Sequence, residues 1–137
     1  MNMNQQRPHL KRGQYDMLCT RAEVRYRYHK ALAYLEWQYD GATFEQWTAL
    51  DGRQAPEMIA IANDGEELDG RITSDLVHRL FVGKRFRVFV SATQFDCRGN
   101  QLAPGEGRSV VRAVIGKLPE LLPTSLDKVP AVNSWMN

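Results

Sequence analysis

No apolar run in the sequence approaches the roughly 18 residues that a membrane-spanning helix requires. The opening residues, Met-Asn-Met-Asn-Gln-Gln-Arg-Pro, also lack the apolar segment of a secretory signal. The expectation is a cytoplasmic protein with no membrane partner, of bacterial, plasmid or phage type. Cysteine is scarce: Cys19 and Cys97 are too few and too far apart for a zinc site, which usually takes four Cys/His ligands in close pairs. They read as buried free thiols, since a disulfide would require an oxidising compartment.

Catalytic patterns are missing as well. His9, His29 and His78 stand apart, with no HxH, HExxH or nucleophile-elbow spacing. Asp64, Glu66, Glu67 and Asp69 lack the register of a calcium-binding loop and read as a solvated acidic loop. Gly83-Lys84 has neither the upstream glycine nor the following Ser/Thr of a phosphate-binding loop. Cys97 lies beside Arg98, which favours a thiolate, but no histidine partner is identifiable. The expectation is a protein that is not an enzyme and takes no cofactor or metal.

What is present is a 137-residue chain, enough for one domain with its own core. Its net charge of +2 hides a segregation along the sequence. Residues 1–35 hold seven Lys/Arg against Asp16 and Glu23, residues 36–75 hold ten acids against Arg53 and Arg71, and residues 76–118 hold eight Lys/Arg against Asp96 and Glu106. If the two basic segments pair in one sheet, a basic face forms opposite an acidic lobe. The same pattern also describes alternating solvated surface, and both readings stand at this point.

Alternation marks the strands. Residues 1–12 are polar and basic with no periodicity and read as a flexible arm. From Gln14 to Tyr28, Ala22, Val24, Tyr26 and Tyr28 fall on one face, and Arg21, Glu23, Arg25 and Arg27 on the other. A strand this long is expected to bend. A turn at His29-Lys30 leads to a second strand, with Ala31, Ala33, Leu35, Trp37 and Tyr39 opposite in phase to Tyr34. Asp40-Gly41 is a hairpin signal before a third strand over Thr43–Leu50. Pro56 opens a short helix ending at Asn63-Asp64-Gly65, and Thr73 or Ser74 caps a second helix through Phe81. Phe86, Val88 and Val90 then alternate with Arg85, Arg87 and Phe89 in a fourth strand, and Arg108–Leu118 forms the fifth. From residue 119 to 137 the chain contains prolines and reads as a tail or docking segment carrying Trp135.

Three strands, a helical connection and two more strands predict a mainly β fold. The expected form is a five-stranded Greek-key, OB-fold-like barrel over residues 13–118, with one or two short helices between strands three and four. An open antiparallel sheet packed on helices is the alternative. The hairpin beginning Gln14-Tyr15, the block Phe81-Val82-Gly83-Lys84-Arg85-Phe86-Arg87-Val88 and the run Ser109-Val110-Val111 resemble small OB-fold proteins of plasmids, integrative elements and phages. Those are similar to single-stranded DNA-binding proteins. The resemblance covers roughly residues 14–118 and lacks the long linker and acidic tip of the bacterial single-stranded DNA-binding proteins.

Binding a nucleic-acid strand needs cations for phosphates and flat rings for bases. The candidates are Arg21, Arg25, Arg27 and Lys30 from the first hairpin, with Lys84, Arg85, Arg87 and Phe89 from the fourth strand. Tyr34 is the expected exposed ring, whereas Tyr26, Tyr28, Trp37, Phe44 and Trp47 are expected to be mostly core. The functional expectation is a non-enzymatic protein that binds single-stranded nucleic acid, with DNA as the expected form, in replication, recombination or transfer of a mobile element. The alternative is a protein-binding module, such as an assembly subunit or an inhibitor of a host defence complex, acting through the acidic segment 36–75 or Trp135. An exposed edge strand also leaves room for a homo-oligomer.

Overall fold

A computed structural model describes residues 9–68, 70–95, 98–103 and 105–120. The expected features at Cys97, Asp69, residues 1–8 and the tail with Trp135 lie outside the described residues. The elements in chain order are β1 (Gly13–Arg27), β2 (Lys30–Tyr39), β3 (Ala42–Ala49), α1 (Gln54–Ala62), α2 (Ser74–Phe81), β4 (Arg85–Ala92) and β5 (Ser109–Lys117). The five strands form one antiparallel sheet in the order β3-β2-β1-β4-β5, so the fold is mainly β with two helices between β3 and β4. No hydrogen-bonded pairing joins β3 to β5, and the sheet is open.

β1 serves two partners because it bends. Its first part, Gly13–Leu18, pairs with β4, and Leu18–Arg27 pairs with β2. The register shifts between Cys19 and Arg21, a bulge that inserts one residue and reverses which side chains face inward. Met17 and Cys19 are therefore buried before the bulge, and Ala22 after it. Both hairpins turn in two residues with positive φ, 51° and 66° at Tyr28-His29 and 50° and 80° at Asp40-Gly41. Such paired left-handed residues match the twist of the flanking strands. The first turn thus sits at Tyr28-His29, and Lys30 already belongs to β2.

The inner face packs against the helices. Trp37 meets Phe81 and Phe86 edge-on, at ring separations of 6.4 and 5.7 Å, and Val88 and Val90 extend the same layer. Gln46 is buried with its polar atoms satisfied: Trp37 Nε1 donates to Gln46 Oε1 at 2.9 Å, and Gln46 Nε2 donates to Thr48 Oγ1 at 2.9 Å. Thr73 caps α2 by accepting from the backbone N–H of Leu76, and Val77, Leu80 and Phe81 form its buried stripe. Ser74 Oγ accepts from the backbone N–H of Val24, which docks the start of α2 on the edge of β1 beyond its β4 partner.

Cys19 lies in this core, where burial pushes its thiol from the ordinary 9.0 up to about 12. It stays protonated through neutral pH, and only the thiolate reacts. In a Cys97→Ser background, Ellman's reagent near pH 8 is expected to label the native protein hardly at all and the denatured protein fully. Rapid labelling without denaturant would contradict the packing around Cys19.

Candidate nucleic-acid interface

Directly paired residues in an antiparallel sheet share a face. The register sets Arg21 beside Glu36 and Glu45, and Glu23 beside Tyr34 and Trp47. It also sets Arg25 beside Leu32 and Arg27 beside Lys30. On the other flank Arg85, Arg87 and Phe89 stand beside Leu18, Asp16 and Gln14. The expected site residues in the strands thus occupy the sheet face opposite the core. Lys84 precedes β4, and its Nζ donates to the carbonyl of Arg79.

The cations of β1 and those of β4 do not stand side by side on that face. β4 lies along Gly13–Leu18, whereas the arginines of β1 lie in the half paired with β2. Nor do the basic and acidic segments separate into a basic face and an acidic lobe. The sheet order inserts the acids of β2 and β3 directly beside the cations of β1. Arg21 bridges Glu23 at 3.2 Å and Glu36 at 3.7 Å, Arg25 bonds Glu23, and Arg108 reaches Glu45 at 3.1 Å. Arg87 grips both oxygens of Asp16, at 2.9 and 3.3 Å, and these hydrogen bonds hold the Asp16 carboxyl below its ordinary range. The hydrogen bond from Arg25 does the same to Glu23. Elsewhere in the acidic segment, Asp64 is bridged by Lys117. Among the described residues, Arg27, Lys30 and Arg85 form no salt bridge, although the Arg85 charge helps to hold the Asp16 carboxyl down.

The rings also exchange roles. Tyr34, the expected exposed ring, is only 3 % exposed. Its hydroxyl donates to Glu36 at 2.6 Å and lies 3.2 Å from Glu45, and burial with these carboxylates drives its pKa upward. The Arg25 guanidinium lies 3.7 Å from its ring centre and Trp47 4.4 Å away, so the outer face has a packed layer of its own. Arg27 extends that layer, 4.8 Å from the Trp47 ring and 5.8 Å from Tyr28. Tyr26 and Tyr28, expected in the core, are 74 % and 82 % exposed. Tyr26 keeps the inward phase of Ala22 but lies past the end of the core, and Tyr28 occupies the turn itself.

That turn is a costly choice of residues. Two-residue hairpin turns of this type favour Asn-Gly, because a left-handed backbone is unfavourable for a residue with a bulky side chain. Tyr28 and His29 each adopt it, at a cost of roughly 1 kcal/mol or more. Arg27, Tyr28, His29 and Lys30 are exposed at this turn, where Arg27 leads onto the Trp47–Tyr34–Arg25 layer, and the exposed Tyr26 lies beside them in the opposite phase of β1. The sequence clue to this cluster is rings placed within two residues of a turn, where a strand outruns its core.

Scans against protein-family models and the curated proteins found no match to this chain. No helix among the described residues is long and apolar enough to cross a membrane.

Proposed function

We propose that this protein binds single-stranded nucleic acid without acting on it chemically, using the β1–β2 hairpin tip and the adjoining outer face of β2 and β3. The observation that carries this reading is the exposure of Tyr26 and Tyr28 near Arg27 and Lys30, with Tyr28 on a turn whose left-handed backbone disfavours its side chain. Rings at a protruding tip stack on any base, and the neighbouring cations neutralise phosphates. Local strain spent on exposing a side chain points to function rather than to folding.

An OB-like architecture suits this role. The order β3-β2-β1-β4-β5, with helices between β3 and β4, supports that reading, as does the Arg108–Glu45 bridge between the residue preceding β5 and β3. OB-folds bind oligonucleotides on the face of strands two and three and through the loops joining strands one to two and four to five. Here those places hold Trp47, the tyrosine-bearing turn and Arg108. The link to single-stranded DNA and to replication, recombination or transfer of a mobile element rests on the sequence resemblance.

Titrating labelled oligo(dT) and oligo(U) against the protein at about 50 and about 200 mM salt tests the proposal. Binding is expected with weak base preference. The logarithm of affinity should fall with that of salt by about 0.7 per phosphate contacted. No measurable binding at the lower salt would refute the proposal.

A further inference from the structure

The N-terminal segment and the β4–β5 connection enclose a second cationic feature, remote in sequence from the hairpin tip. A groove of about 890 Å³ runs between residues 9–12 and the loop after β4. His9, Lys11, Arg12 and Arg112 line it, and no acidic residue does among the described residues.

Its walls are held in place. The basic arm expected over residues 1–12 is anchored where it is described. The backbone N–H of Leu10 donates to Ser109 Oγ at 2.7 Å, that hydroxyl donates to Leu10 O at 3.2 Å, and the Tyr15 hydroxyl donates to Lys11 O at 2.7 Å. The Arg12 guanidinium lies over the Phe89 ring, 5.1 Å from its centre. On the opposite wall Thr93 N–H donates to Arg108 O at 2.9 Å, and Leu102 N–H donates to Gln94 O at 2.9 Å. Gly107 passes so close to Thr93 that a Cβ would stand 1.9 Å from its carbonyl oxygen, so only glycine lets these strands of the loop close together. Arg112 is aimed rather than loose. Its Nε donates to Ser91 Oγ at 2.8 Å and an Nη2 donates to Ala92 O at 3.2 Å. An arginine has five N–H donors, so donors remain for a ligand.

We infer that this groove binds the phosphodiester backbone of a nucleic-acid strand, as a second contact region that extends the footprint of the hairpin tip. Positive groups dispersed along an open groove suit successive phosphates of a polymer better than one enclosed anion. Arg108 connects the two regions: its backbone closes the groove wall, and its guanidinium reaches Glu45 beside the Tyr34 layer. The inference rests on the proposed strand-binding role, and the two can fail separately.

The test compares the wild type, a groove variant (Lys11→Gln/Arg12→Gln/Arg112→Gln) and a tip variant (Tyr26→Ala/Tyr28→Ala). Labelled oligo(dT) of about 5 and about 20 nucleotides, within and beyond the span of one OB domain, is titrated at two salt concentrations. The groove variant is expected to bind the long strand about tenfold or more weakly, with a salt slope shallower by roughly 2, and to bind the short strand as the wild type does. The double variant Lys11→Gln/Arg12→Gln retains the Arg112 hydrogen bonds and should move in the same direction by a smaller step. Unchanged long-strand affinity and slope in both groove variants, with loss in the tip variant, would overturn the groove and keep the tip. Loss in folded groove variants with none in the tip variant would support the groove and overturn the tip. A wild type that binds neither strand would overturn both. A groove variant that binds pyrophosphate as weakly as the wild type but the long strand less well would assign the site to the polymer. Tight pyrophosphate binding by the wild type with unchanged strand binding by the variants would overturn the polymer assignment.

Discussion

Replacing the hairpin tip by Tyr26→Ala/Tyr28→Asn/His29→Gly is expected to weaken oligo(dT) binding by at least about thirtyfold while leaving the melting temperature nearly unchanged. The binding loss follows from two stacking rings. At the low end of about 1 kcal/mol for each, their removal costs about 2 kcal/mol, and each 1.4 kcal/mol is a factor of ten. The stability should hold because opposing effects meet. Asn-Gly relieves the left-handed strain at residues 28 and 29, by roughly 1 kcal/mol or more, whereas Tyr26→Ala gives up strand propensity of up to about 1 kcal/mol. Neither tyrosine is core, so no cavity opens. Anisotropy titration and a thermal melt on the same sample read both quantities. Unaltered affinity in this folded variant would show that the tip rings do not stack on bases, and a large drop in melting temperature would show that they hold the fold instead.

Trp37→Ala should be the most damaging single change to stability, costing about 3–5 kcal/mol in urea denaturation. The ring is fully buried at the junction of β2, α2 and β4, so its loss leaves a void bounded by Phe81 and Phe86. The substitution also deprives Gln46 Oε1 of the Trp37 N–H, and an orphaned buried acceptor carries its own penalty. Trp37→Phe separates these contributions, since it retains much of the ring but not the donor, and should cost less than the alanine variant but more than about 1 kcal/mol. A domain of this size commonly has only about 5–15 kcal/mol of net stability, so the alanine variant should unfold at markedly lower urea. A cost below about 1 kcal/mol for Trp37→Ala would mean that the core packs differently around β2.

Local rules account for what was legible in the chain. Asp40-Gly41 announced the β2–β3 hairpin, because a left-handed pair there suits the strand twist. The Thr73-Ser74 pair announced the start of α2, and Thr73 is the cap, because its hydroxyl accepts from the backbone N–H of Leu76. In β4, period-2 alternation put Phe86, Val88 and Val90 inside and Arg85, Arg87 and Phe89 on the opposite face, as the register has them. Alternation in β1 served only up to a point. The bulge after Cys19 reverses its phase, and nothing in the residue types around Thr20 marks that insertion.

The character of the candidate site depended on partners distant in sequence. Tyr34 is out of phase with Leu35 and Trp37, which correctly places it on the outer face, yet Arg25 and Trp47 from neighbouring strands cover it. Tyr26 shares the phase of Ala22, yet the core ends before reaching it. Arg21 of β1 and Arg108 ahead of β5 look like free cations in the sequence, but the sheet places Glu36 and Glu45 of the acidic segment within their reach. Phase, turn chemistry and capping are properties of a few consecutive residues, so the amino-acid order was sufficient for the strands, the two helices and most of the inner face. Exposure of a ring and availability of a charge depend on strand order and on where the packed layer stops. Those arise only when β2 and β4 flank β1 and the hairpin tip projects beyond the core.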